Sequence, residues 1–272
     1  MRRGGYTAHR SPRRSQIELA DKLEHVLLRP DVTPSEVDDA CASAVESGLA
    51  AVTVWPADVP RAAAATGGSR VTVVAAVTGP DRTAAADPTL DEARRAIQAG
   101  ARHLAVALDP RAILGEDAAE LARQLQALCR IAHAEGVHVR AVLQAPLALA
   151  AQTAAPQQAP LAPAVAGGGG LAWMRVGAPE ASPSATELAE AGRLAVEAGA
   201  DLLQTGFGVW GRATLEQVRA VRWALPTRHA AIGVIAGGAK DASAARHLLE
   251  RAGADRVAVL DPAAVLRGVA AA

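Results

Sequence analysis

The chain has 272 residues and 50% of them are hydrophobic, which is enough for one large buried core. Its 28 basic and 28 acidic residues balance, so no overall charge favours nucleic acid or an anionic membrane surface. We therefore expect a small-molecule ligand, with no nucleic-acid and no membrane partner. Two cysteines, Cys41 and Cys129, lie in predicted helices without metal-type spacing, which indicates reduced thiols in a cytoplasmic protein.

Residues 1–16 contain five arginines but no apolar stretch of the length, about 7–15 residues, that a secretory signal needs. No segment of the chain approaches the roughly 18 apolar residues of a membrane-spanning helix. We expect residues 1–16 to form a disordered basic tail and residues 17–272 to form one domain. A nucleic-acid-binding arm is the less favoured interpretation of the tail, because Tyr6 is its only aromatic residue.

From Ile17 onward, short β-branched segments alternate with helical segments rich in Ala, Arg and Glu. This alternation is typical of parallel βα units. Eight such units in a chain of this length predict the α/β class and a (β/α)8 TIM barrel. The predicted strands are Lys22–Leu28, Ala50–Trp55, Arg70–Val77, His103–Leu108, Val137–Leu143, Asp201–Thr205, Ala231–Ala236 and Arg256–Leu260. The predicted helices include Thr33–Ser47, Leu90–Gln98, Asp117–Glu135 and Ala185–Ala198, each followed closely by a glycine.

An inserted segment rich in Pro, Gly and Ala, residues 147–183, interrupts the connection after the fifth strand. That connection leaves from the carboxyl end of the barrel, where active sites of this fold lie. Two interpretations stay open: a flexible surface insertion, or a lid that carries Trp173 and hinges at Gly167–Gly170.

Four motifs point to a known family. Residues 24–33 (E-H-V-L-L-R-P-D-V-T) are similar to the D-H-T-L-L-K-P-D-x-T opening of deoxyribose-phosphate aldolases, and residues 51–60 resemble their second strand. Residues 200–214 resemble A-D-F-V-K-T-S-T-G-F-G…G-A-T, and residues 237–240 match the G-G-[IV]-[RK] turn after the seventh strand. The resemblance covers the chain from about Ile17 to Gly268, apart from the insertion. It implies a class I aldolase barrel.

The resemblance also implies a lysine at the end of the sixth strand, which forms a Schiff base with a carbonyl substrate. That position is Gln204 here, and the Ser-Thr pair that follows in the family is missing after Thr205. An amide cannot condense with an aldehyde. The family's second lysine, which lowers the pKa of the first, corresponds to Ile235, and its fourth-strand aspartate corresponds to Ala105.

The whole chain contains two lysines, Lys22 and Lys240. Lys22 lies at the amino end of the first strand, far from the catalytic rim. We therefore expect the iminium mechanism to be absent unless Lys240 has been recruited for it.

The family's phosphate-binding turn is retained in part. Gly237, Gly238 and Lys240 keep the turn after the seventh strand, which could bind an anion at a helix N-terminus. After the eighth strand, however, Asp261 stands where the family has small hydroxylated residues. A carboxylate there would repel a phosphate unless it is paired, most simply with Lys240 or Arg212.

Three residues are catalytic candidates by position: Glu24, Asp109 and Arg140. In one interpretation Glu24 and Arg140 form a structural ion pair inside the barrel, because buried charges persist mainly when they are paired. In the other, Glu24 or Asp109 is a general acid or base and Arg140 positions an oxyanion. Gln144 and Gln204 would then hydrogen-bond a carbonyl group, with Thr205 beside them.

Tryptophans predict an apolar pocket. Trp55 and Trp210 follow predicted strands and Trp173 lies in the insertion, so all three could line the barrel mouth and hold an apolar ligand. The alternative is that they fix the insertion to the barrel or form a dimer contact. Trp223, on a predicted helix, is expected to pack in the core.

We expect no metal, since the histidines show no ligand spacing, and no cofactor; a homodimer is possible. Three functions remain in competition. The favoured one is a lyase, cyclase or isomerase of specialised metabolism that acts without a Schiff base. The others are a non-catalytic protein that binds a metabolite or partner, and a working aldolase that uses Lys240.

Overall fold

Residues 12–77, 86–108, 114–115, 118–143, 183–209, 212–225 and 233–270 are described by the computed structural model of the chain. In this part of the chain, eight parallel strands pair in chain order and close into a barrel, with β8 next to β1. Each strand end lies within two residues of its prediction. The strands are β1 Leu23–Leu27, β2 Ala51–Val54, β3 Thr72–Val77, β4 His103–Ala107, β5 His138–Val142, β6 Leu202–Gln204, β7 Gly233–Gly237 and β8 Arg256–Val259. The predicted (β/α)8 barrel is confirmed.

Helices follow the strands and surround the barrel. Nine α-helices and a 3-10 turn, Pro56–Asp58, lie within the described residues. The helices are α1 Pro12–Ala20, α2 Pro34–Ser47, α3 Val59–Thr66, α4 Ala86–Gln98, α5 Ala118–Ala134, α6 Ala185–Glu197, α7 Leu215–Ala224, α8 Ala242–Glu250 and α9 Pro262–Ala270.

Helix ends agree with the local sequence signals. Thr33 and Ser184 cap α2 and α6, and each forms a reciprocal capping box with the glutamate three residues later. Gly48 ends α2 with φ +69°, a left-handed conformation that a side chain would strain. These caps fix where each helix leaves its loop, and therefore where each loop crosses the barrel rim.

Two apolar layers hold the barrel together. The larger one lies between the outer faces of the strands and the helices and includes Leu104, Val139, Leu125 and Leu188. The smaller one fills the barrel interior. Because side chains alternate along a strand, every second residue of each strand points into this interior.

The amino-terminal helix begins earlier than the predicted domain. α1 starts at Pro12, inside the segment predicted to be a tail, and it packs against α9. Gln16 Nε2 donates a 3.1 Å hydrogen bond to Leu266 O. Residues 12–16 are therefore helical, while residues 1–11 lie outside the described residues. The domain boundary itself stays a prediction.

One tryptophan prediction is wrong. Trp223 is 70% exposed rather than buried, and the Arg219 guanidinium lies 4.5 Å from its ring centroid. Its helix position faces away from the barrel, and a cation–π contact replaces core packing. Separately, none of the described helices is long and apolar enough to cross a membrane.

Candidate functional site at the carboxyl end of the barrel

The amino-terminal half of the barrel interior holds a network of charged side chains. Glu24 is the second residue of β1 and Arg140 the third of β5, and both side chains are completely buried. Arg140 Nη1 donates a 2.5 Å hydrogen bond to Glu24 Oε2. Arg256, the first residue of β8, donates at 3.1 Å to the other carboxylate oxygen. The predicted ion pair between Glu24 and Arg140 is present.

A histidine completes this network. His103 Nδ1, at the amino end of β4, accepts a 2.8 Å hydrogen bond from Arg140 Nε, so this nitrogen carries no proton. Burial, together with the positive charge of Arg140, lowers the pKa of His103 to about 2. Burial also lowers the pKa of Arg140, and the carboxylate of Glu24 opposes that shift. The remaining guanidinium nitrogen, Arg140 Nη2, is buried without a hydrogen-bond partner among the described residues.

The position of the network favours its structural interpretation. In (β/α)8 barrels the catalytic residues lie at the carboxyl ends of the strands, whereas residues at the opposite end contribute to stability. Glu24, His103 and Arg256 all lie in the first two residues of their strands. A catalytic role for Glu24 or Arg140 stays a prediction, but their side chains hold each other and are closed to solvent.

The carboxyl half of the interior is apolar. Its described side chains form one cluster in which Trp55, Leu202 and Val209 are partly buried and the rest are enclosed. Ala105 and Ile235 belong to it, and these are the residues that the sequence resemblance aligns with an aspartate and a lysine. The other enclosed members are Val26, Leu28, Ala51, Val74, Ala76, Ala107, Val142, Phe207 and Ala258.

Two neutral polar side chains enter this apolar cluster. Gln204, the last residue of β6, is 1% exposed, and its Nε2 donates a 2.9 Å hydrogen bond to Gly206 O. That bond fixes the amide, and its Oε1 is left without a hydrogen-bond partner in the described part of the chain. Thr53 Oγ1, on β2, is likewise buried and unpartnered. Both atoms could bind a ligand that offers hydrogen-bond donors.

Thr205 has a structural role at the rim. Its buried hydroxyl accepts a 3.0 Å hydrogen bond from Gly237 N, which ties the loop after β6 to the end of β7. The two loops touch backbone to backbone, since a Cβ on Gly237 would lie 2.3 Å from Gly206 O. Gly237 is therefore required by close packing at the rim.

Both lysines of the chain lie within the described residues, and both are on the surface. Lys22 precedes β1 at the amino end of the barrel, as predicted. The Lys240 side chain is 66% exposed, and its Nζ lies 3.8 Å from Asp241 Oδ2. No lysine side chain therefore points into the barrel interior.

Asp261 lies just after β8, as predicted, and caps the helix that follows. Its Oδ1 accepts a 2.8 Å hydrogen bond from Ala264 N and so caps helix α9. Lys240 lies beside Asp241, at 3.8 Å, so the pairing with Lys240 that would have cancelled the charge of Asp261 is not observed. The physical reason is local: an aspartate before a proline at the start of a helix is well placed to bind the free N–H groups of the first turn.

Several predicted site residues cannot be placed. Asp109, Gln144 and Trp210 lie outside the described residues, as does the insertion up to residue 182, with Trp173. The apolar lid and the acid/base role of Asp109 stay predictions. Among the residues that are described, no group of three or more His, Cys, Asp and Glu side chains could hold a metal ion.

Comparison with known proteins identifies the family. No family model matches the chain. A deoxyribose-phosphate aldolase of Mycobacterium tuberculosis is 30% identical over 258 residues, which cover 94% of this chain and 97% of that protein. The chain belongs to the deoxyribose-phosphate aldolase family. A second relative of the same name, from Crocosphaera subtropica, is 24% identical and covers 89% of this chain and 90% of its own length.

Solved structures agree on the fold. A Coccidioides immitis protein, provisionally described as a deoxyribose-phosphate aldolase, superposes with a TM-score of 0.73 at 22% identity and covers 93% of this chain and 85% of its own. The Aeropyrum pernix deoxyribose phosphate aldolase, described as a unique tetramer, gives a TM-score of 0.68 at 20% identity, covering 94% and 91%. The homodimer considered for this chain stays a prediction.

The roles of three residues at the two ends of the barrel were not predicted from the sequence. His103 and Arg256 join the buried network, and Asp241 caps helix α8 through Ala244 N at 2.8 Å. The inward alternation of their strands could have suggested the first two. An aspartate three residues before the capped N–H could have suggested the third.

Proposed function

We propose that this member of the deoxyribose-phosphate aldolase family binds a small molecule at the carboxyl end of its barrel and acts on it as a lyase, cyclase or isomerase without forming a Schiff base. One observation carries the proposal: β6 ends in Gln204, and both lysines of the chain are surface residues. An iminium needs a free amine within bonding distance of the substrate carbonyl.

Gln204 suits a different role. Its Nε2 is engaged by Gly206 O, so the buried Oε1 is the atom that remains for a ligand. A carbonyl oxygen held in this way accepts a hydrogen bond from a ligand hydroxyl or N–H group and orients the ligand without attacking it. The apolar side chains around it would strengthen that bond by excluding water.

A non-catalytic binding protein is the second candidate. The observation that favours it is the enclosure of Glu24 and Arg140, which pair with each other at 2.5 Å and are shielded from solvent. Without them, Asp109 is the remaining predicted acid or base. Binding of a ligand without turnover, retained in an Asp109→Asn variant, would support this candidate over the enzyme.

A working aldolase that uses Lys240 is the third candidate, and the names of the relatives favour it. Lys240 lies at the correct end of the barrel, in the loop after β7. Its side chain is two-thirds exposed, however, and activation of a lysine nucleophile usually requires a desolvated site or a second cation beside it. This exposure ranks the aldolase below the other two.

Borohydride trapping tests the proposal. The protein is incubated with acetaldehyde and borohydride, and its intact mass is measured. We expect no adduct beyond the slow reductive ethylation of exposed amines, which the unfolded protein shows equally, with a lysine-dependent family aldolase as the positive control. An adduct on Lys240 well above that background would overturn the proposal and favour the aldolase.

A companion variant separates the missing amine from its surroundings. Gln204→Lys restores an amine at the end of β6, but Ile235 and Ala105 supply neither the second cation nor the proton relay. We expect the variant to show no aldolase turnover. Turnover restored by this single change would mean that the rest of the catalytic machinery is intact.

A further inference from the structure

The helices that follow β7 and β8 both begin with an aspartate. In (β/α)8 barrels the loops after strands 7 and 8, together with a helix N-terminus, frequently form a phosphate site. Such a site needs free backbone N–H groups and the positive end of a helix. The names of the relatives include a phosphate, so the state of these two helices bears on the ligand.

Helix α8 has one of its first-turn N–H groups bound by its own cap. Asp241 precedes it, and Asp241 Oδ1 accepts the N–H of Ala244 at 2.8 Å. The carboxylate therefore occupies the position at which a phosphate oxygen would bind. Its charge also compensates the positive end of the helix that would otherwise attract the anion.

Helix α9 repeats the arrangement. Asp261 Oδ1 accepts the N–H of Ala264 at 2.8 Å. The first residue of the helix is Pro262, which has no N–H to donate. Together the cap and the proline remove two of the donors that the first turn of this helix would offer to an anion.

The two glycines at the turn between β7 and α8 offer no free N–H groups in place of the capped ones. Gly237 N already donates to Thr205 Oγ1 at 3.0 Å, and Gly238 N donates to Ala258 O at 2.8 Å. These bonds hold the end of β7 to its neighbours on both sides. A phosphate could use these two N–H groups only by breaking the contacts that join the strands.

The charges beside the turn also cancel. Lys240 and Arg212 are exposed cations of this rim, and Asp241 and Asp261 are its carboxylates. Lys240 Nζ is 3.8 Å from Asp241 Oδ2, so the lysine already has a negative partner. A dianion would meet two carboxylates at the two helix ends.

We propose that Asp241 and Asp261 are specificity-determining residues, and that the ligand of this barrel is an unphosphorylated compound, neutral at the end that faces α8 and α9. The inference rests on the proposed function insofar as the barrel mouth binds a small molecule. It deepens that proposal by naming the class of compound that is excluded, a phosphate monoester.

Graded variants at the two caps test the inference. Asp241→Asn with Asp261→Asn removes both charges and keeps the caps, because asparagine caps a helix as well as aspartate does. Asp241→Gly with Asp261→Gly removes the charges and also releases the N–H groups. A matched control, Glu46→Gln with Glu135→Gln, makes the same change in net charge at exposed sites near the helix C-termini, at the opposite end of the barrel.

Binding of inorganic phosphate is measured by isothermal titration at low ionic strength, with melting temperatures as the check on folding. We expect no saturable binding by the unaltered protein or the control up to about 10 mM. The asparagine pair should bind measurably and the glycine pair about tenfold more tightly.

Two results would overturn the inference. One is tight, salt-sensitive phosphate binding by the unaltered protein that is lost in Lys240→Ala. The other is a folded glycine pair that still binds no phosphate, since the carboxylates would then not be what excludes it. Neither result bears on the trapping experiment, which uses unphosphorylated acetaldehyde, so the inference and the proposed function fail separately.

Discussion

The two ends of the barrel interior have opposite chemistry. At the amino end, Arg140 and Arg256 each donate a hydrogen bond to Glu24, at 2.5 and 3.1 Å, and His103 accepts one from Arg140. At the carboxyl end, the described interior is aliphatic and aromatic, and its polar atoms belong to neutral groups such as that of Gln204. In this fold the second end is the one that performs chemistry.

The difference shows how such a barrel can change function while it keeps its fold. A hydrogen-bonded network of three charged side chains and the neutral His103 joins β1, β4, β5 and β8 from inside, away from the carboxyl end. The carboxyl end of the interior carries apolar side chains instead, such as those of Ala105 and Ile235. The residues at the rim determine the function of a barrel, whereas the network at the other end contributes to its stability.

The largest effect is expected from breaking the network. Arg140→Met removes the partner that neutralises Glu24, and Arg256 alone, which is one-third exposed, remains beside the buried carboxylate. Losing one of the two cations that compensate this buried carboxylate should lower the free energy of unfolding by up to about 3 kcal/mol. Urea denaturation of the variant measures this loss.

Two controls accompany this measurement. Glu24→Leu combined with Arg140→Met should regain most of the lost stability, because an apolar pair needs no compensation. Arg193→Met breaks an exposed pair, with Glu197 at 2.7 Å, and should cost less than about 1 kcal/mol. If Arg140→Met and Arg193→Met lowered the free energy of unfolding equally, the buried network would contribute no more to stability than an exposed ion pair.

A smaller effect is expected from pH. The pKa of His103 is about 2 in the folded protein and 6.5 in the unfolded chain, so the unfolded state takes up a proton first as the pH falls. The stability contributed by the neutral imidazole is therefore present above pH 6.5 and is lost progressively below it. Between pH 6.5 and pH 4.5 the loss from this residue is about 2 kcal/mol.

His103→Asn is the matched variant. Asparagine keeps a side-chain oxygen that can accept from Arg140 Nε and does not titrate in this range. Urea denaturation at several pH values should give a steeper loss of stability for the unaltered protein than for the variant. Parallel curves would show that His103 is not held neutral in the folded state.

The sequence predicts the fold well because its signals are local. Strand alternation and the caps at Thr33 and Ser184 locate most elements within two residues. The Glu24–Arg140 pair follows from two inward positions carrying opposite charge. Inward alternation suggests that His103 faces the interior, but it does not identify Arg140 as its partner. That contact depends on the stagger between β4 and β5, whose register pairs Arg140 with Ala105.

The candidate site is predicted less well, because the capping of helix ends by carboxylates was not considered. Asp261 was considered only as a charge that would repel a phosphate unless a cation paired with it, whereas its carboxylate binds the first turn of α9. A backbone N–H two or three residues away is closer than any distant side chain and costs less side-chain entropy to reach. The prediction that Trp223 packs in the core is wrong because a tryptophan on a helix can equally form a cation–π contact on the surface.

The smallest effect should come from two threonines that differ in one hydrogen bond. Thr53 and Thr205 are 1% and 0% exposed, but Thr53 Oγ1 is unpartnered in the described structure, while Thr205 Oγ1 accepts from Gly237 N. Valine replaces threonine with nearly the same shape and without the hydroxyl. Thr205→Val leaves the Gly237 N–H unsatisfied and should lower the free energy of unfolding by about 1–2 kcal/mol. Thr53→Val removes an unsatisfied group and should leave it unchanged or raise it by up to about 1 kcal/mol. Equal losses from both variants would mean that Thr53 has a partner in solution, and that the carboxyl end of the interior is more polar than its side chains indicate.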